Sequence, residues 1–235
     1  MEQIKKVPAA VFLLFFLFLS CEAGIEGSLT ADGSASLTLN SGLFPRTAAL
    51  IQNLFNAAGH DGQVLDGPAI ANSMSGAPGI ASVELRNTSS TALSGRIRIS
   101  QISEFLSDAG EKGFITFEKR GTGGKCEINI DRNNGHIVLA MLSPQINDYL
   151  NALMAPIVTE EIINKDEYLV LLSTFYNRSI ADEIARSKIR AVIDFPGQLT
   201  SVTGGTFSAR RATLEINLID LLVLEKPLKY EVFWN

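Results

Sequence analysis

Apolar residues along this chain change period several times, and each change predicts an element. Leu29, Ala35, Leu37 and Leu39 fall on alternate positions either side of Asp32-Gly33. Such alternation belongs to strands and Asp-Gly is a favoured tight turn, so residues 27–30 and 34–40 are expected to form a β-hairpin. Ala49, Leu50, Leu54 and Phe55 then recur at helical spacing, which predicts an amphipathic helix over 46–58 stopped by Gly59. Residues 66–74 make a second, short helix. Ile97 and Ile99 alternate with Arg96 and Arg98. Residues 80–86 and 93–99 therefore read as a strand pair with one apolar and one charged face, joined through 87–90. A short helix at 103–109 precedes a three-strand meander at 114–119, 125–130 and 136–141. Its turns are Gly121-Thr122-Gly123-Gly124 and Asn133-Asn134-Gly135.

From Ser143-Pro144 the period is helical again. Ser143 can cap a helix and Pro144 suits its first position. Ile146, Tyr149, Leu150 and Leu153 share a face, and Pro156 interrupts. Tyr168, Leu171, Leu172 and Phe175 predict a helix over 165–176, followed by another over 180–187. Residues 189–195 form a strong strand ended by Pro196-Gly197. Residues 199–205 turn the chain, 213–216 return it, and 230–234 make a terminal strand. Phe207 and Trp234 suit either a rim or a core. The expected fold class is α+β: a curved antiparallel β-sheet packed against helices, with a helical insert at about 143–187 before the C-terminal strands.

The first twenty residues follow another rule. Lys5 and Lys6 precede the uncharged run Val7 to Leu19, and Ser20-Cys21 follows. A positive start, a short apolar run and a small residue before the break describe a secretion signal. The run falls short of the roughly 20 apolar residues of a membrane span. Residues 1–20 are thus expected to be a lipoprotein signal peptide, with Cys21 the lipidated first residue of the mature chain. Phe18-Leu19-Ser20-Cys21 resembles a relaxed bacterial lipobox of spirochaete type, with Phe18 where Leu is usual and Leu19 where a small residue is usual. An ordinary cleaved signal beside an incidental cysteine is the competing reading. Residues 22–26 read as a tether, and 27–235 as one domain.

Composition narrows the possible activities. The formal charge is −5, and the signal is itself net positive, so the remainder is more acidic still. An acidic body of this kind argues against broad contact with nucleic acid. Cys126 is the only cysteine besides Cys21. With Cys21 blocked by lipid no internal disulfide can form, and the core must stabilise the fold. Cys126 reads as a small buried apolar residue near a strand start.

Few residues of this chain are of catalytic or metal-ligating type in a usable pattern. His60 and His136 are the only histidines and sit in unrelated segments beside glycines. They fit neither a zinc site nor a Ser-His-Asp set. Gly121-Thr122-Gly123-Gly124-Lys125 lacks the spacing and the following helix of a phosphate loop. Asp131 to Gly135 lacks the distal Glu of a calcium loop. Asp166, Glu167, Asp182 and Glu183 read as a solvated helix face rather than an acid/base pair. Arg96, Arg98, Arg210 and Arg211 read as solvated strand faces, with contact to lipid phosphate as the functional alternative. No catalytic residue, cofactor or metal site is expected.

Taken together, the chain resembles the LppM-like family of bacterial envelope lipoproteins. The resemblance rests on the signal ending at Cys21, the hairpin about Asp32-Gly33 followed by a helix, and the strand pair between Ile80 and Ile99. It rests also on the C-terminal run Val192-Ile193-Asp194-Phe195-Pro196-Gly197 followed by Val202-Thr203-Gly204-Gly205. Thr203-Gly204-Gly205 stands where the family has Asn-Gly, Leu214 near where a tryptophan is common, and the helical insert is larger. The resemblance implies a lipid-anchored, non-enzymatic α+β domain of the cell envelope, on the periplasmic or outer-membrane face. It implies binding of an envelope lipid, and the apolar helical positions from Ile146 to Phe175 suggest that such a lipid or other apolar ligand is held between sheet and helices. A structural lipoprotein docked on another envelope protein is the alternative. No binding residue carries over from the family, because the matching positions read as structural.

Overall fold

A computed structural model describes residues 22–57, 65–106, 114–135, 150–151 and 153–235. Cys21, His60, His136 and the predicted strand at 136–141 lie outside the described residues, as does most of the first helix of the insert. The expected α+β class holds, with open sheets packed on helices. The strands divide between two sheets. The larger runs β3-β4-β2-β1-β7-β10-β9 and the smaller β5-β6-β11-β8.

The larger sheet starts from the predicted hairpin. β1 spans Glu22–Leu29 and β2 Ala35–Gly42. The turn between them is fastened by Asp32, whose carboxylate accepts from the Thr30 hydroxyl and from the Ser34 backbone N–H and hydroxyl, both at 2.9 Å. β1 begins five residues before the expected strand, so the expected tether at 22–26 is sheet. Its reason is remote in sequence: β7, Lys188–Asp194, runs parallel to β1 and pairs with it from Glu22 to Ser28. A parallel neighbour requires a long crossover, which the intervening helices supply. β3, Ile80–Ser89, and β4, Ala92–Ile99, add to the β2 edge. β10, Arg211–Asn217, and β9, Gly205–Ser208, add beyond β7.

The smaller sheet holds β5, Ile115–Arg120, β6, Gly123–Ile130, β8, Leu199–Thr203, and β11, Leu228–Trp234. β6 lies between β5 and β11. Residues 132–135 are helical instead of a hairpin turn, because Asp131 accepts from the backbone N–H of Asn133 and Asn134. The stretch 199–205 is likewise no simple turn. It contributes β8 to one sheet and the start of β9 to the other, and the chain changes sheets at Gly204, whose φ of 77° suits a residue without Cβ.

The helices follow apolar period and capping. α1 spans Pro45–Ala57 and α2 Gly67–Met74, the latter capped by Asp66 accepting from Ala69 N–H. α3, Ile102–Phe105, is a single turn. Within the insert, Pro156 begins the short α4, Pro156–Thr159, where the sequence reading had an interruption. α5, Lys165–Phe175, starts with a reciprocal capping box between Asn164 and Glu167. α6, Arg178–Arg186, is capped by Asn177. α7, Leu218–Val223, was not expected. Five of its six residues are buried, so it carries no amphipathic signature.

One core joins these layers. Ile25, Leu37, Leu39, Leu93, Ile97 and Ile189 come from the larger sheet, and Ile51, Met74, Ile184 and Leu222 from the helices. Trp234 is a core residue, with ring centroids 5.1 Å from Phe195 and 5.7 Å from Phe117. Tyr230 ties the two sheets by donating its hydroxyl to the Glu215 carbonyl at 3.1 Å.

Candidate functional site: the polar face of the larger sheet

Strand alternation sends one set of side chains into the core and the other to the opposite face. On that second face the register aligns three transverse rows. One runs Glu84, Arg96, Thr38, Glu26, Val192, Thr213. A second runs Arg98, Ser36, Ser28, Asp194, Arg211, and a third Ser94, Asn40, Gly24, Arg190, Glu215. Together they floor a recess of about 530 Å³ lined by Glu26, Thr38, Arg96, Arg190, Asp194 and Arg211, among others. An adjoining recess of about 490 Å³ shares Thr38 and Arg96 and extends to Glu84 and Arg86. The pair forms a continuous polar trough over β3, β4, β2, β1, β7 and β10.

Charge in the trough is unevenly neutralised. Arg211 makes a two-point pair with Asp194, Nε to Oδ1 and Nη2 to Oδ2 both 2.8 Å. Hydrogen bonding from that guanidinium holds the Asp194 carboxyl below the usual carboxylate range. Lys188 pairs with Glu215 at 2.7 Å. The side chains of Arg96 and Arg190 are exposed and make no ion pair or hydrogen bond among the described residues. Two free guanidiniums amid the hydroxyls of Ser28, Ser36, Thr38 and Thr213 can hold an anionic, hydroxyl-bearing group through charge-assisted bonds. Beside Arg190 in the third row Gly24 leaves open space: a Cβ built there meets nothing within 4 Å.

Other sequence candidates separate cleanly. Arg96 and Arg98 lie on the trough face. Of the Arg210-Arg211 pair, Arg211 lines the trough and Arg210 donates Nε–H to the Phe195 carbonyl at 2.8 Å. Cys126 packs against the core, and burial pushes its thiol up to about 12, which leaves it a poor nucleophile. Lys125 follows the Gly121 turn into β6 and pairs with Glu127 and Glu231. Asp166 and Asp182 are exposed, Asp182 facing Arg178 at 3.9 Å. Glu167 belongs to the α5 cap. Glu183 corrects the solvated-face reading. It is buried, and it accepts from Thr47 N–H at 2.7 Å and Thr47 hydroxyl at 2.8 Å at the start of α1.

Arg190 and Glu26 were not singled out in the sequence. Arg190 lies in a strand where apolar residues dominate, and Glu26 in a stretch read as a tether; the visible signal was the charge between Ile189 and Ala191. The described residues contain no group of three or more His, Cys, Asp or Glu side chains placed to hold a metal ion. No helix among them is long and apolar enough to cross a membrane.

No family model matches the chain, and no curated protein matches it. Among solved structures the chain is similar to the NMR structure of the folded domain of the Mycobacterium tuberculosis LppM protein. The identity is 10%, the coverage 91% of this chain and 88% of that one, and the TM-score 0.43. The likeness is distant, and the reading of the trough rests on this chain's own residues.

Proposed function

We propose that the protein is a cell-envelope lipoprotein, anchored through lipid on Cys21, that works by binding and not by catalysis. Its recognition surface is the polar trough, and its ligand is the anionic, hydroxylated head of an envelope lipid. The observation that carries this reading is the pair of free guanidiniums, Arg96 and Arg190, set among hydroxyls in one recess. On the sheet face toward the helices, Leu37, Leu39 and Ile97 are core residues, so the polar groups available to an anionic ligand lie on the opposite face. A cationic recess on a body of net negative charge favours an anion locally without favouring nucleic acid generally.

Two measurements test the two halves. Cys21→Ala should abolish labelled palmitate uptake and release the protein from membranes while leaving it folded; membrane fractionation and palmitate labelling equal to wild type would remove the anchor. Calorimetric titration of the lipidated protein in detergent with glucose 1-phosphate and with glucose tests the trough. Binding of the phosphorylated sugar alone, weakened by salt, supports it; equal or absent binding of both removes the anionic ligand.

The second reading is docking on another envelope protein. Phe207 favours it, because it stands exposed on β9, an edge strand whose four residues are all exposed. Crosslinking in intact cells through Phe207→Cys would report a single dominant protein partner if this reading holds.

A further inference from the structure

The start of β1 has a consequence for how the domain sits on a bilayer. Cys21 is joined directly to Glu22, the first residue of β1, so their Cα atoms are about 3.8 Å apart. Glu22 shares a terminal row with Gly42, Lys188 and, through them, Ala92 and Asn217. A lipid on Cys21 therefore has no tether with which to hold this end of the sheet away from the membrane.

The same end gathers cationic side chains. Arg46 lies at the start of α1, four residues after Gly42, and its exposed side chain makes no ion pair among the described residues. Arg186 ends α6, two residues before Lys188, and stacks its guanidinium 4.3 Å above the Phe44 ring. Glu183 links the two, accepting from Arg46 N–H at 3.4 Å and facing Arg186 at 3.8 Å. Glu183 offsets the charge of Arg186, and the exposed Arg46 leaves the group net cationic. The Ser89 to Thr91 tip between β3 and β4 completes the end.

We infer that the domain stands end-on to an anionic bilayer, with Glu22, Arg46, Arg186 and the β3–β4 tip toward the lipid head groups and the Asp32 hairpin away from them. The inference rests on lipidation of Cys21. Strand rise then places the Arg190 row about 7 Å and the Arg96 row about 13 Å beyond Glu22, so the trough opens beside the head-group layer. Electrostatic attraction to anionic lipid acts over about one Debye length, roughly 10 Å, which reaches the arginines and not the far hairpin.

The test uses the full lipidated chain in phosphatidylglycerol–phosphatidylcholine vesicles. One fluorophore is placed through Ser90→Cys and, in a separate protein, through Ala31→Cys, both in a Cys126→Ala background. Quenching by head-group-labelled lipid is then read at each site. We expect severalfold stronger quenching at position 90 than at position 31, and a smaller difference in the Arg46→Glu, Arg186→Glu double variant. Equal quenching at the two sites, stronger quenching at position 31, or indifference to charge reversal would overturn the orientation. Trp234 fluorescence on heating reports folding of each variant. Arg46→Glu alone carries the charge arm if the double variant does not fold. Mass spectrometry of the N-terminal peptide separates the two levels: an acyl mass on Cys21 with no difference in quenching sinks the orientation only, and no acyl mass sinks the anchor and the orientation with it.

Discussion

Thr47 donates both its backbone N–H and its hydroxyl to one carboxylate oxygen of Glu183, at 2.7 and 2.8 Å, across 136 residues of chain. All of these groups are buried. A residue on α6 thereby satisfies donors at the start of α1 that no local side chain caps. Glu183→Ala would leave buried donors unpaired and should cost about 2 to 3 kcal/mol, with Glu183→Gln costing about 1 kcal/mol because it keeps an acceptor. Urea denaturation followed by Trp234 fluorescence measures both. Equal midpoints for the two variants and wild type would show that the cap contributes nothing.

Gly197 makes a steric prediction. A Cβ built at this position would lie 1.6 Å from the Asn235 carbonyl oxygen, and Asn235 N–H already donates to the Gln198 carbonyl at 3.0 Å. Gly197→Ala should therefore displace Asn235 and cost about 1 to 3 kcal/mol. Removal of Asn235 should recover much of that loss, since the colliding backbone is gone. A double-mutant cycle by thermal denaturation gives the answer, and additive effects would contradict the contact.

Lys165 and Asp220 give a pH prediction. Their charged atoms are 2.7 Å apart. Burial pushes the Asp220 carboxyl up, but hydrogen bonds from Lys165 and Asn217 outweigh it and leave the group below its ordinary value of 3.8. The hydrogen bond to Asp220 raises Lys165 above its ordinary 10.5. The depressed acid stabilises fully above 3.8 and loses that contribution as pH falls through its folded value. The raised base stabilises fully below 10.5 and loses it as pH rises through its folded value. The Tm difference between wild type and Lys165→Met should thus be level between these limits and shrink beyond each. A difference independent of pH would mean that the pair acts through packing alone. Both side chains are partly exposed, so solvent screening keeps the effect small.

Arg96 and Arg190 are predicted to matter for ligand and not for stability. Each Arg→Ala change should weaken binding of glucose 1-phosphate about tenfold. Each should shift stability by no more than about 0.5 kcal/mol, because both side chains are exposed. Titration calorimetry and urea denaturation separate the two effects. Unchanged affinity in the Arg96→Ala, Arg190→Ala double variant would remove the trough as the binding surface.

Much of this fold was legible from local pattern. The hairpin about Asp32-Gly33, the β3–β4 pair, and the helices from 45, 67 and 165 follow from period, caps and turn residues that lie within a few positions of one another. Each such signal acts over one turn or one tight loop, so the sequence alone suffices to place it. Other features depend on partners far along the chain. Residues 22–26 become strand because β7 lies parallel to them. Residues 199–208 split between two sheets because β11 and β10 offer separate edges. α7 hides because burial on every side erases its period. Glu183 looked like one charge on a solvated helix, and only the approach of α1 turned it into a buried cap. The trough belongs to this second class. Alternation put Arg96 on a polar face, but its place in one recess with Glu26 and Arg190 required the order β4-β2-β1-β7, and strand order is set by packing between distant segments rather than by any local run of residues.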